Sequence, residues 1–215
     1  MSEAILSNIH QQLIINYGNK KDEYPEQLMS VMFIKPDDCV LEIGGNIGRN
    51  SCVIGKILND SSKLLVIESD PDSFYKLEEN KNNNSLNFKI ECSAISKHQL
   101  IQNGWVTKQL IDNETNMTDW KLINVISWSD LKEKYNMNFN VLVADCEGAL
   151  YYILKEEPTF LDGINTVIIE NDFIDINHKN FVDEEFKRNN LINVYRNSGG
   201  FEPCFNCFYE VWKKE

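Results

Sequence analysis

The chain has 215 residues, 42% hydrophobic and 25% charged, enough for one α/β domain with a real core and too few for two comfortable ones. Its formal net charge is −12 and its pI is near 4.7. That balance argues against nucleic acid or an anionic membrane as partner, because binders of either carry a basic face, and it favours a neutral, cationic or small-molecule partner.

No segment approaches the roughly 20 apolar residues needed to cross a bilayer. Glu3 stands where a secretory leader wants basic charge, so a cytoplasmic location is expected. Cys39, Cys52, Cys92 and Cys146 sit singly in or beside apolar runs, the habit of free core thiols. Cys204 and Cys207 form one C-x-x-C, without the second pair or nearby histidine that zinc needs. Reduced thiols lying in a strand are the expectation there.

Ile5, Ile9 and Leu13, then Leu28 and Met32, are spaced for one helical face. Tyr17-Gly18-Asn19 and Pro25 divide this N-terminal helical cap, residues 1–37, from which a main unit follows over 38–215. Cys39–Ile43 reads as a buried strand, Ile47–Leu58 as a helix and Leu64–Glu68 as a second strand. Asp70 and Pro71 are an N-cap and first turn for a helix over Pro71–Asn80. The polar run Lys81–Ser85 reads as a surface loop and Leu86–Ala94 as a third strand.

Between His98 and Ser127 the pattern is irregular, with a strand over Trp105–Leu110 and a polar loop over Asp112–Asp119. A helix over Ser129–Lys134, a strand over Asn140–Asp145, a short helix from Ala149, a strand over Thr166–Glu170 and a helix around Phe181–Asn189 follow. Two β-rich runs around Gly199-Gly200 read as a hairpin. The strands VLEI, LLVIE, NVLVAD and TVIIE are nearly continuous in apolar residues and alternate with helices. The expected fold is therefore α/β: one doubly wound, mostly parallel sheet with a terminal antiparallel hairpin.

Such sheets bind ligands beyond the carboxyl ends of the strands, where strand order reverses. Glu42, Glu68, Asp145 and Glu170 close strands and would converge on that rim. Three glycines, Gly44, Gly45 and Gly48, follow the first strand at once, a bare backbone suited to a ligand lying against it. The spacing misses the G-x-G-x-x-G of dinucleotide sites, and Glu42 just before it would repel a pyrophosphate. A cationic ligand suits it better. The pattern E-x-G-x-x-x-G, with an acidic residue closing the next strand, resembles S-adenosylmethionine (SAM)-dependent methyltransferases of the Rossmann-like class.

From about Asp38 to Asp172 the chain resembles the FkbM family of methyltransferases. LEIGGNIG stands for the family's D-x-G-A-N-x-G, IESDPDSF for F-E-P-x-P, VISWSDL for V-x-T-L-D-D-L, and VLVADCEGAL for L-x-K-I-D-V-E-G-x-E; LEENKNNNSLNFKIECSAIS and TVIIE keep the order. Leu150 replaces the last glutamate, Val143 the lysine, and Gly45 the alanine. The resemblance implies methyl transfer from SAM to a hydroxyl of a sugar or glycan. The expected donor site is Glu42, Gly44, Gly45, Asn46, Gly48, Glu68, Ser69, Ala94 and Asp145, with Glu68 on the ribose hydroxyls.

Methyl transfer to a hydroxyl needs near-attack geometry and a base. Asp145 and Glu147, after the fourth strand, are the first candidates for base and acceptor orientation, and His178, after the fifth, is another. Asp145, Glu170 and Asp172 could instead hold Mg²⁺, which would lower the hydroxyl's pKa. Helix capping is the plain structural use of Asp145 and Glu147. Trp105 and Trp120 could stack on a sugar, whereas Trp128 reads as core. The alternatives are a catalytically impaired SAM-binding module, which Leu150 favours, then a nicotinamide oxidoreductase, and then a nucleic-acid methyltransferase.

Overall fold

The computed structural model describes residues 1–111 and 118–215, so most of the Asp112–Asp119 loop lies outside the described residues. In chain order come α1 (Ser2–Gln12), α2 (Tyr24–Phe33), β1 (Val40–Ile43), α3 (Arg49–Ile57), β2 (Leu64–Ile67), α4 (Pro71–Asn83) and β3 (Lys89–Glu91). The short strands β4 (Ala94–Ile95), β5 (Leu100–Asn103), β6 (Val106–Gln109), β7 (Lys121–Ile123) and β8 (Val125–Ile126) follow. The chain continues through α5 (Trp128–Tyr135), β9 (Val141–Ala144), α6 (Ala149–Glu156), β10 (Thr166–Glu170), α7 (Ile176–Arg188), β11 (Leu191–Asn197) and β12 (Tyr209–Lys214).

The central sheet runs β3-β2-β1-β9-β10-β12-β11. β1 to β3, β9 and β10 pair in parallel, and β12 is antiparallel to both of its neighbours. The expected hairpin therefore exists, with its second strand slotted between β10 and β11. Strand order reverses between β1 and β9, which places the crevice for a ligand above their carboxyl ends.

Alternation along the apolar strands feeds two cores. Leu41, Ile43, Leu65, Leu142, Val167 and Ile169 pack on one face beneath α5, α6 and α7. Val40, Val66, Val141, Val143 and Ile168 pack on the other beneath α1, α2, α3 and α4. The N-terminal helices thus share a core with the sheet. Trp128 belongs to the first core, its ring 4.7 Å from that of Phe160.

Several local expectations need correction. In α1 the buried row is Leu6, Ile9, His10 and Leu13, and Ile5 and Met32 face solvent. His10 fits this row because its Nε2 is satisfied by Gln27 Oε1 at 2.7 Å. The asparagine-rich run expected as a loop completes α4 to Asn83. Asn80 and Asn84 there are buried, and their amides bond the backbone of Asn16 and Ile14 as a neighbouring strand would. Cys204 and Cys207 lie in the connection before β12, where the Cys207 amide closes a short turn on the Cys204 carbonyl at 2.8 Å, not in a strand. All six cysteines are free.

The irregular middle folds as a small antiparallel sheet, β6-β5-β7, carried on the parallel pair β4-β8. The strand expected over Leu86–Ala94 is split by this arrangement: β3 edges the central sheet and β4 starts the excursion. Among the described residues no helix is long and apolar enough to cross a membrane.

Candidate functional site

A cavity of about 720 Å³ opens above β1 and β9, lined on one side by β5 and β6 of the small antiparallel sheet, a flap on the main fold. Of the expected donor-site residues, Gly44, Asn46, Glu68, Ser69, Ala94 and Asp145 line it. Glu147 and Glu170 line it too.

The glycine loop is built by packing more than by exposure. The amides of Gly44 and Gly45 both donate to the Ile67 carbonyl, at 3.0 and 3.1 Å, turning the chain sharply at the end of β1. Gly44 has φ +87°, and a Cβ there would collide with the carbonyl oxygen of Asp145. Gly45 and Gly48 face Val66 and Leu77 instead of the cavity, so they let β1, β2 and α4 close up. Glu42 also lies beneath the loop. Its Oε1 accepts from Asn50 Nδ2 at 3.0 Å, and Asn50 Oδ1 accepts from Ser30 Oγ at 3.0 Å, a buried chain that ties β1 to α3 and α2.

Glu68, closing β2, is held by the backbone on both oxygens. Asn46 N–H donates to Oε2 at 2.6 Å and Asp70 N–H to Oε1 at 2.8 Å. Asp70 in turn caps α4 through Ser73 N–H, as its position before Pro71 predicts. Beside the loop, Glu23 accepts from Arg49 Nη1 at 2.8 Å and from Asn50 N–H at 3.3 Å, clasping the start of α3.

The floor is acidic. One carboxylate oxygen each from Glu26, Asp145 and Glu170 lies within 4.8 Å of the other two. Asp145 follows β9, Glu170 closes β10, and Glu26 reaches in from α2. Sequence reading named Asp172 for this cluster and missed Glu26. Asp172 turns away, its Oδ1 accepting Gly148 N–H at 2.7 Å and fixing the turn where Glu147 and Gly148 both have positive φ. His178 is likewise outside the cavity: it sits on α7, its ring stacked 3.7 Å from that of Tyr151. Glu26 gives no sequence signal, since it falls on an amphipathic helix where a glutamate normally faces water. Leu150 is buried in the core, so no carboxylate at that position would reach the cavity without leaving it.

Crowding moves these groups' proton affinities upward. Burial, then the charges of Glu23, Glu26, Asp172 and Glu147, holds Asp145 well above the carboxylate range. Glu170 rises through burial, then a hydrogen bond with Glu26 and the charges of Asp145, Glu26 and Asp172. Burial also raises Glu42 to about 8, and Glu68 and Asp172 to about 7. The folded chain holds these protons more tightly than the unfolded chain does, so stability is greatest below the ordinary carboxylate pKa and falls as pH rises towards 8. Exposed Asp60, Glu79 and Glu184 are shifted the other way and oppose this weakly. The urea midpoint of the ligand-free protein is expected to drop between about pH 5 and about pH 8. A rising midpoint over that interval would mean these carboxylates ionise normally.

Solved structures of methyltransferases share this architecture. A ribosomal protein L11 methylase from Lactobacillus delbrueckii subsp. bulgaricus aligns with a TM-score of 0.54 at 13% identity, over 94% of this chain and 82% of that one. A Streptococcus pneumoniae protein carrying a proposed tRNA (m1A22) methyltransferase assignment, solved with SAM, aligns with a TM-score of 0.53 at 12% identity, over 94% and 73%. The M. jannaschii tRNA m1G37 methyltransferase aligns at 0.51 and 11%, over 94% of this chain and 51% of that one. No protein-family model matches the chain, and no curated protein matches its sequence. At these identities the likeness establishes the fold, a Rossmann-like α/β sheet of the class I methyltransferase type.

Proposed function

We propose that the chain is a SAM-dependent methyltransferase acting on a hydroxyl of a small-molecule or glycan acceptor. The observation that carries the reading is the pairing of Glu68 with the Gly44–Asn46 turn at the strand-order reversal, both lining one cavity. Glu68 keeps lone pairs free for two ribose hydroxyls while its backbone bonds fix it. Ser93 and Ala94, just past the end of β3, supply a wall for the adenine in this reading. When bound, SAM supplies an electrophilic methyl on a sulfonium.

An acceptor hydroxyl that took this methyl would lose its proton, which a carboxylate of the cavity floor would receive while the sulfur kept the electron pair of the C–S bond. Asp145 takes that proton in this reading, with Glu147 and Glu170 beside it. Burial and the neighbouring carboxylates favour the protonated form of Asp145, so the state in which it holds the acceptor's proton is the stabilised one. The sugar or glycan acceptor rests on the FkbM-like motifs and on Trp105, which stands 62% exposed at the cavity rim as a stacking surface. The acidic balance argues against nucleic acid and membranes as partners, and free thiols suit a cytoplasmic enzyme.

Mg²⁺ is a second reading, favoured by the closeness of Glu26, Asp145 and Glu170. Turnover abolished by EDTA and restored by Mg²⁺ would support it, and turnover unchanged by EDTA would remove it. Calorimetry with SAM, S-adenosylhomocysteine and NAD⁺ tests the donor: heat with the first two and none with the third is expected. In E68Q, an amide N–H₂ would face either the Asn46 or the Asp70 N–H, donor against donor. Donor affinity is expected to fall about 10- to 100-fold in that variant; unchanged affinity would remove Glu68 from the donor site. Donor binding without turnover on any acceptor would favour the binding-module alternative.

A further inference from the structure

Glu26 is 6% exposed, and among the described residues no amide, ammonium or hydroxyl group bonds its buried Oε2. Among the described residues no salt bridge reaches Glu26, Asp145 or Glu170. The charges bearing most on Asp145 and on Glu170 are all carboxylates. Without a cation such buried groups take up protons instead, as the raised affinities of Asp145 and Glu170 show, and a bound cation would displace those protons. Tyr209, paired with Glu170 across the β10–β12 ladder, adds a phenol that burial, and then the charges of Glu26, Glu170 and Asp145, keep protonated.

The spacing suits an ammonium. A nitrogen at the centre of three oxygens no more than 4.8 Å apart can sit at about 2.8 Å from each, the length of a charge-assisted N–H···O bond. From there the cavity continues past Gln102, Thr107 and Gln109 of the flap to Trp105 at the rim. Amides, a hydroxyl and the Lys108 side chain along the wall, with an aromatic face at the mouth, fit an organic body bearing hydroxyls, whereas a bare metal ion would leave that space unfilled.

We infer that the acceptor is an aminated polyol whose protonated amine is seated by Glu26, Asp145 and Glu170, an inference that rests on the methyl-transfer reading of the same cavity. NMR titration of the protein saturated with S-adenosylhomocysteine compares three probes: glucosamine, glucose and N-acetylglucosamine. Glucosamine is expected to bind at least tenfold more tightly than either neutral sugar. In E26Q that preference should shrink below about threefold. E170Q should do the same, and serves if E26Q does not fold.

Equal binding of all three sugars overturns the inference. So does a preference that survives both substitutions. If Mg²⁺ alone stabilises the protein and glucosamine gains no preference, the three carboxylates are a metal centre and the inference fails. A protein that prefers glucosamine but gives no heat with S-adenosylhomocysteine would sink the donor reading and leave the amine site standing.

Discussion

Replacing Gly44 by alanine is expected to lower folding stability by about 3 kcal/mol and donor affinity by at least about 100-fold. Two causes act together. The left-handed backbone at φ +87° costs an alanine about 1 kcal/mol, and the new methyl would strike the Asp145 carbonyl oxygen, forcing the ends of β1 and β9 apart. That separation opens the cavity floor where Asp145 stands. Gly104 provides the control: it too has a positive φ, +57°, but nothing lies within 4 Å of where its Cβ would be. Gly104→Ala should lose only the conformational part, about 1 kcal/mol, and leave donor affinity intact. Urea denaturation and calorimetry of both variants decide the matter. Equal losses would mean that the contact with Asp145 contributes nothing.

Asp145→Asn is expected to move stability and turnover in opposite directions. Removing one carboxyl from a crowd that includes Glu23, Glu26, Asp172 and Glu147 relieves repulsion, so the melting temperature should rise, by an amount corresponding to about 1–2 kcal/mol. Turnover, followed as release of S-adenosylhomocysteine with any acceptor the wild-type chain uses, should fall about 10²- to 10⁴-fold as the base is lost. A stabilised variant with full turnover would strip Asp145 of that role and pass it to Glu147 or Glu170, both on the same cavity.

Strand and helix alternation was legible because parallel strands buried on both faces must be largely apolar, and β1, β2, β9 and β10 are so apart from Glu42, Thr166 and Glu170. The acidic strand ends pointed to the rim for the same topological reason. What the sequence hid was of three kinds. Glu26 enters the cavity from a separate helix, and only tertiary packing brings it to Asp145 and Glu170. Asp172 and His178 follow β10 as expected of site residues, yet one is engaged by the Gly148 amide and the other by the Tyr151 ring. The glycines looked like a surface for a ligand, whereas Gly45 and Gly48 are small because Val66 and Leu77 leave no room. A missing side chain reads the same whether a ligand or a leucine requires the space.

The flap over the cavity starts and ends on the β4–β8 pair, where Ala94 stands beside Val125 and Ile95 beside Ile126. Its two points of attachment are clamped together, so a longer or shorter excursion between them would add little loop-closure entropy and would leave the main fold's strand register alone. The donor side, in contrast, is locked into the interior through Gly44, Glu42 and Asn50. The share of acceptor preference that falls to Gln102, Trp105, Thr107 and Gln109 could therefore be rewritten by exchanging this segment, while the carboxylates beneath it stayed fixed.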